Sequence, residues 1–185
     1  QWIPAYRVGP YDIQLEPQMF LIINKSLKKE AWIISLRLLA ISTKSQREIT
    51  KKLIDKGYPV SVVRAVTEKL KGEGLLNDRA YAQHLVNKYT SSKPSGCRRI
   101  AFELKRRGIP KKIREEFLAS MDSESEVHRA RALAQLKWRR FSKISPEKRK
   151  KRVYDFLVRR GFDFQIARDL IEEFEMESSH ENGSN

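Results

Sequence analysis

A single cysteine, Cys97, stands among the 185 residues. It can close no internal disulfide, and no CxxC or Cys/His pairing offers a zinc site. A disulfide scaffold and a structural zinc module are therefore excluded, and a reducing compartment, the cytoplasm, is expected. Cys97 precedes Ile100 by three positions and Leu104 by seven, so a small buried apolar role is expected of it rather than that of a nucleophile. Histidine is scarce as well: His84, His128 and His180 lie far apart, none with a ligand partner three or four residues on. The eight glycines are scattered and no GxxxxGK[ST] phosphate loop occurs. Long apolar runs are missing, since "MFLIINK" is short and "WIISLRLLAI" contains Arg37, so no membrane-spanning helix is expected. The first residues lack a basic segment leading into a longer apolar stretch, and no signal peptide is expected. The chain opens on Gln1, and Met19 is a candidate start because the helical pattern is expected some ten residues beyond it. Asp55, Asp78 and Asp155 could be gathered into an imagined metal-dependent nuclease site, but each has a helix-turn or cap context. No enzyme, cofactor or metal is expected.

What is abundant is positive charge. Lys and Arg number 38 against 23 acids, giving +15 and a pI near 10.0. Such an excess favours polyanionic partners. It is concentrated: residues 98–114 carry eight bases against Glu103 alone, and residues 127–161 carry thirteen against Glu147 and Asp155. Basic residues in a last helical turn complement the helix dipole, which is one reading of Arg106, Arg107, Arg159 and Arg160. It does not cover "EKRKKR" at 147–152, where the bases fall in first turns and oppose the dipole, so a partner is the better reading there. The candidate contacts are Arg98, Arg99, Lys105, Arg106, Arg107, Lys111, Lys112, Arg139, Arg140, Lys148, Arg149, Lys150, Lys151 and Arg152. Among nearby aromatics (Trp138, Phe141, Tyr154, Phe156 and Phe162), Trp138 and Tyr154 are left open to stack on single-stranded bases; Phe156 and Phe162 fall on or beside core positions.

The glycines reveal a repeat. Gly57, Gly108 and Gly161 are preceded four positions earlier by Leu53, Leu104 and Leu157, and eight earlier by Ile49, Ile100 and Val153. Tyr58, Ile109 and Phe162 follow them directly, and then come Pro59, Pro110 and Asp163. Val62, Ile113 and Ile166 stand five beyond, and Val66, Phe117 and Leu170 nine beyond. A period near 50 residues marks an array of supersecondary units. The spacing predicts helix, left-handed glycine at C′, then a second helix opened by Pro in its first turn or by an Asp cap. A further helix precedes each pair, with a Ser45/Glu48 capping box in the first unit, Asp78 capping the second unit, and a Ser123/Glu126 box in the third. Ser145–Pro146 starts the helix that reaches Gly161.

The fold expected is all-α: a tandem array of three three-helix repeats forming an elongated, curved body. Residues 1–30 are expected to be a weakly ordered extension or a short clasp, and residues 31–74, 75–121 and 122–175 to be the repeats. Residues 176–185 are expected to be an acidic disordered tail, since five glutamates and no bases follow residue 171.

"GEGLLNDRAYAQHLV", residues 72–86, resembles the "GxLxDxxFAxxxV" segment of the RecX family, bacterial regulators of the recombinase RecA. "SQREITKKLIDKGYPVSVVRAVTEKL" is similar to the family's first repeat. "RRIAFELKRRGIP" is similar to its second, with Ile100, Glu103, Leu104 and Gly108 matching "I-x-x-E-L-x-x-K-G-I". The third unit matches more loosely, and the likeness covers about residues 31–175. Asn77 stands where an acid is common, Tyr81 replaces Phe, and residues 1–30 match nothing in the family. The resemblance implies a monomeric regulator, most often an inhibitor, that binds along the groove of the RecA–DNA filament and limits its growth or persistence. It implies no active-site residues and no membrane partner. The alternative is a direct binder of single- or double-stranded DNA without recombinase specificity, since basic three-helix units also resemble helix-turn-helix modules. The third helices turn acidic or apolar towards their ends, which weighs against that reading.

Overall fold

Each of the three repeat glycines adopts the left-handed backbone that their spacing predicts, with φ of 86° at Gly57, 76° at Gly108 and 80° at Gly161. The hydrogen bonds around them are the same three times over. Tyr58, Ile109 and Phe162 donate N–H to the carbonyls of Leu53, Leu104 and Leu157 at 3.2, 3.0 and 3.2 Å. Each glycine N–H returns to the carbonyl three residues before it, at 2.8, 3.0 and 2.9 Å. This paired closure satisfies carbonyls that a helix end leaves open, and the residue after the glycine packs back on the helix.

The computed structural model describes residues 6–8, 11–13 and 16–182. Strands β1 (Tyr6–Val8) and β2 (Tyr11–Ile13) pair antiparallel, with Arg7 opposite Asp12. The helices are α1 (Pro17–Ile41), α2 (Gln46–Asp55), α3 (Val60–Gly72), α4 (Asp78–Asn87), α5 (Cys97–Arg106), α6 (Lys111–Ala119), α7 (Ser123–Arg140), α8 (Pro146–Arg159) and α9 (Phe164–Asn182). A π-helical turn, Lys88–Ser92, extends α4. The described chain is therefore all-α in three three-helix groups, apart from the short strand pair.

Two compact units divide it, residues 1–77 and 78–185. In the first, α1, α2 and α3 pack on one another around Ile49, Leu53, Val62, Val66 and Leu70. In the second, α4–α6 enclose Tyr81, Leu85, Ile100 and Leu104, and α7–α9 enclose Trp138, Val153, Leu157, Phe162 and Phe174. The positions eight and four before each glycine, and the one after it, are buried in all three groups. Those five and nine after it are buried in the first group but only half-buried in the second. Full burial of such an aliphatic side chain stabilises by about 1.5–3 kcal/mol.

Several local expectations are corrected. Helix α1 begins at Pro17, so it takes in Met19 rather than starting after it. No Gly or Pro interrupts it afterwards, and Phe20, Ile23, Leu27, Ala31, Ile34 and Leu38 keep a helical spacing on its covered side. Pro59 and Pro110 occupy the N-cap position, one residue before the first turn. At Ser45 the capping box forms as read: Ser45 N–H donates to Glu48 Oε2 at 3.0 Å and Glu48 N–H to Ser45 Oγ at 3.1 Å. Asp163 caps α9 through the Gln165 N–H at 2.8 Å. Helix α7 is capped by Asp122, not Ser123, with its carboxylate accepting from the N–H groups of Glu124 and Ser125. Asp122 competes better because a carboxylate at the cap also meets the helix dipole. Helix α9 runs on to Asn182, through most of the stretch read as a tail; residues 183–185 of that tail lie outside the described residues, as do 1–5, 9–10 and 14–15 of the N-terminal extension.

Candidate polyanion-binding surface

Burial of Ile100, Glu103 and Leu104 fixes the phase of α5, which turns Arg98, Phe102, Lys105 and Arg106 outward. In the same way Val153 and Leu157 anchor α8 and leave Lys148, Lys151, Arg152 and Arg159 along its outer side. The fourteen sequence-predicted cations then fall into two sets.

One set is engaged inside the fold. Arg99 and Arg106 hold the carboxylate of Glu103 between them at 2.8 and 2.6 Å, although Glu103 itself is only 2% exposed. A buried carboxylate needs such partners to offset its lost hydration. Arg98 pairs with Asp163 at 2.8 Å and lies 4.1 Å from the centre of the Phe164 ring. Lys111 pairs with Glu115 at 3.5 Å, and Arg107 is half-buried. Within "EKRKKR", Arg149 donates Nε–H to the Trp138 carbonyl at 2.9 Å and lies 4.1 Å over its ring, and burial lowers the Arg149 pKa. Lys150 pairs with Glu175 of α9. Two of the five bases that seemed to need an outside partner thus have internal ones.

The other set is Lys105, Lys112, Arg139, Arg140, Lys148, Lys151 and Arg152. All seven are exposed, and none has an ion pair among the described residues. Arg152 does lie 5.5 Å from the Phe141 ring. They come from α5, α6, α7 and α8, all in the second unit.

The open aromatics are corrected. Trp138 is 9% exposed, tilts against Phe174 at 5.6 Å and has Arg149 on its ring, so it offers no stacking face. Tyr154 is half-buried beside a cavity of about 450 Å³ between α8 and α9, shared with Lys150, Lys151 and Glu175. Among the described residues two exposed rings lie beside cations, Phe164 under Arg98 and Phe102 on α5, the latter 54% exposed with Arg99 5.6 Å from its centre. The place of Phe102 six residues before Gly108, between core positions in the repeat, was the available signal.

Cys97 is only half-buried, less covered than the small buried role expected of it. Its Sγ lies 3.8 Å from Met121 Sδ, and burial, then the Glu126 carboxylate, pushes the thiol pKa up to about 12. Glu126, read as half of a capping box, instead accepts the Cys97 N–H at 2.9 Å, a carboxylate at the N-terminus of a helix in another repeat. Gly96 N–H donates to the Arg160 carbonyl at 3.1 Å and Arg98 N–H to the Gly161 carbonyl at 3.2 Å. The second and third repeats are therefore joined backbone to backbone.

Among the described residues no helix is long and apolar enough to cross a membrane, and no group of three or more His, Cys, Asp or Glu could hold a metal ion.

Family models described as the first, second and third three-helix domains of RecX match residues 31–70, 77–118 and 124–171. The "Regulatory protein RecX" of Chlorobium limicola is 34% identical over 146 residues, covering 78% of this chain and 89% of the relative. That of Pelodictyon phaeoclathratiforme is 34% identical over 141 residues, covering 76% and 86%. The crystal structure of RecX from Lactobacillus salivarius shares the fold, with a TM-score of 0.71, 22% identity and coverage of 82% of this chain and 99% of that one. Matches to all three domain models in order, with relatives that extend over most of both chains, place this chain in the RecX family of regulatory proteins.

Proposed function

We propose that the chain regulates a RecA recombinase, as an inhibitor, by binding along the groove of the RecA–DNA filament and limiting its growth or persistence. The observation that carries the reading is the set of seven exposed cations without an ion pair among the described residues, spread over four helices of one unit. Charges left unpaired at that density repel one another, and a polyanionic filament relieves the repulsion. The internally engaged cations act differently in this reading: Arg98, Arg99, Arg106, Arg149 and Lys150 hold the surface in shape. The protein works in the cytoplasm as a monomer, by binding rather than by catalysis.

Phe102 favours a second reading, in which the same face takes DNA directly. An exposed ring with an arginine beside it is a platform for an unpaired base. Fluorescence anisotropy on a labelled single strand, naked and coated with RecA, across a salt series, separates the two. Tighter and less salt-sensitive binding to the coated strand is expected. Equal or stronger binding to naked strand, falling steeply with salt, would make the chain a nucleic-acid binder first.

A further inference from the structure

The sequence concentrates charge in the second and third repeats, yet the first repeat contains a site of its own. Between α1 and α3 lies a cavity of about 310 Å³ lined by Lys28, Lys29, Trp32, Ala65, Val66 and Lys69. Its floor is apolar: Val66 is 3% exposed, Trp32 is half-buried and Ala65 adds a methyl. Three lysines complete the lining, with no carboxylate among the lining residues.

From this geometry we infer that the cavity receives an acidic peptide segment of a partner protein, with an apolar side chain on the floor and flanking carboxylates on the lysines. Charge complementarity sets the sign of the occupant, and the apolar floor sets its second requirement. A nucleobase is disfavoured by two features. Lys69 Nζ already covers the Trp32 ring at 4.4 Å, and the lining has no amide, hydroxyl or carboxylate to read a base edge. Lys69 is also available to a carboxylate: its side chain is 62% exposed and its pair with Glu73 spans 3.7 Å. Exposed contacts of that kind exchange readily for a better-placed anion. Lys28 and Lys29 are exposed on α1, one helical turn before Trp32. The site stands apart from the filament reading, because it lies in the other compact unit and uses none of the same residues.

The test uses the full chain and a short fluorescein-labelled peptide of alternating Glu and Leu, with a Glu/Ser peptide and an oligothymidylate as comparison probes. Binding is followed by anisotropy and by the NMR shift of the Trp32 indole N–H, assigned with Trp32→Phe. The Glu/Leu peptide is expected to bind and to move the Trp32 signal, with the Glu/Ser peptide at least about tenfold weaker. The double variant Lys28→Gln/Lys29→Gln, at exposed positions that leave the fold intact, is expected to weaken binding about tenfold. Ala65→Glu, also exposed, should abolish it. Helical circular dichroism of each variant guards against loss of folding. Binding that ignores these substitutions, an oligothymidylate that moves the Trp32 signal more than the peptide does, or no peptide binding at all would each overturn the inference.

Discussion

Gly96 and Gly161 meet at backbone distance: a Cβ on Gly96 would fall 2.2 Å from the Gly161 carbonyl oxygen. Gly96 has an ordinary extended backbone, with φ −78° and ψ 165°. Alanine is thus forbidden there by space alone. At Gly161 both reasons apply, since its φ is 80° and its Cβ would meet the Arg99 N at 2.4 Å.

Gly96→Ala is expected to destabilise the unit of residues 78–185 by about 1–3 kcal/mol through overpacking. Gly57→Ala supplies the contrast, because nothing lies within 4 Å of its Cβ and only its φ of 86° resists. Its expected cost is about 1–2 kcal/mol. Urea denaturation of both variants checks the pair. A Gly96→Ala protein as stable as the parent would show that the two repeats do not approach this closely.

Leu104 is fully buried, four residues before Gly108, in the α4–α6 core. Leu104→Ala should lower stability by about 2–5 kcal/mol. Melting like that of the parent would put the repeat register in error.

The polybasic run should divide under substitution. Changing Lys148, Lys151 and Arg152 together to Gln should leave Tm nearly unchanged and weaken binding to a RecA-coated strand, because these three have no ion pair among the described residues. Arg149→Gln should instead lower stability by about 1–2 kcal/mol, since it removes the hydrogen bond to the Trp138 carbonyl and the cation on that ring. Calorimetry with anisotropy on the same variants reads both effects. Full affinity in moderate salt after the triple change would remove these residues from the contact.

Cys97 supplies a pH prediction. Its folded pKa is raised to about 12 from 9.0, so the native state favours the neutral thiol. The stability this contributes is fully present below about pH 9 and is lost as pH rises from there through about 12. Iodoacetamide at pH 8 should therefore label the native chain far more slowly than the urea-unfolded chain. Equal rates would mean that the thiolate is reachable in the fold.

The repeat was legible because its signal is periodic: three glycines, each with Leu four before and an apolar residue just after, leave little freedom about where helices end. The Ser45 and Asp163 caps were legible for the same local reason. Glu126 was misread because Ser123 and Glu126 have capping-box spacing, and nothing local says that the carboxylate is claimed by the Cys97 N–H, 29 residues away in sequence. The site was less visible. A run of five bases looks uniform in sequence, yet Arg149 and Lys150 turn inward, to Trp138 and Glu175, and only tertiary packing separates them from Lys148, Lys151 and Arg152. Phe102 escaped notice because an aromatic in a helix reads first as core, and the burial of Ile100, Glu103 and Leu104 was needed to turn it outward.

The bonding at the start of α5 also bears on the order in which the chain can finish folding. Helix α2 is closed by Ser45 and Glu48, residues already made when it forms. Helix α5 has no side-chain cap of its own, and the N–H groups of Gly96, Cys97 and Arg98 wait for Arg160, Glu126 and Gly161. During synthesis from the N-terminus, the first repeat can complete its cap while the ribosome is still reading the second. The second can place Cys97 N–H once Glu126 is made, but Gly96 and Arg98 keep their N–H groups on water until the turn at Gly161 is complete. A chain that stops between residues 127 and 159 would therefore leave the start of α5 without two of its three acceptors, even though every residue of the second repeat is in place.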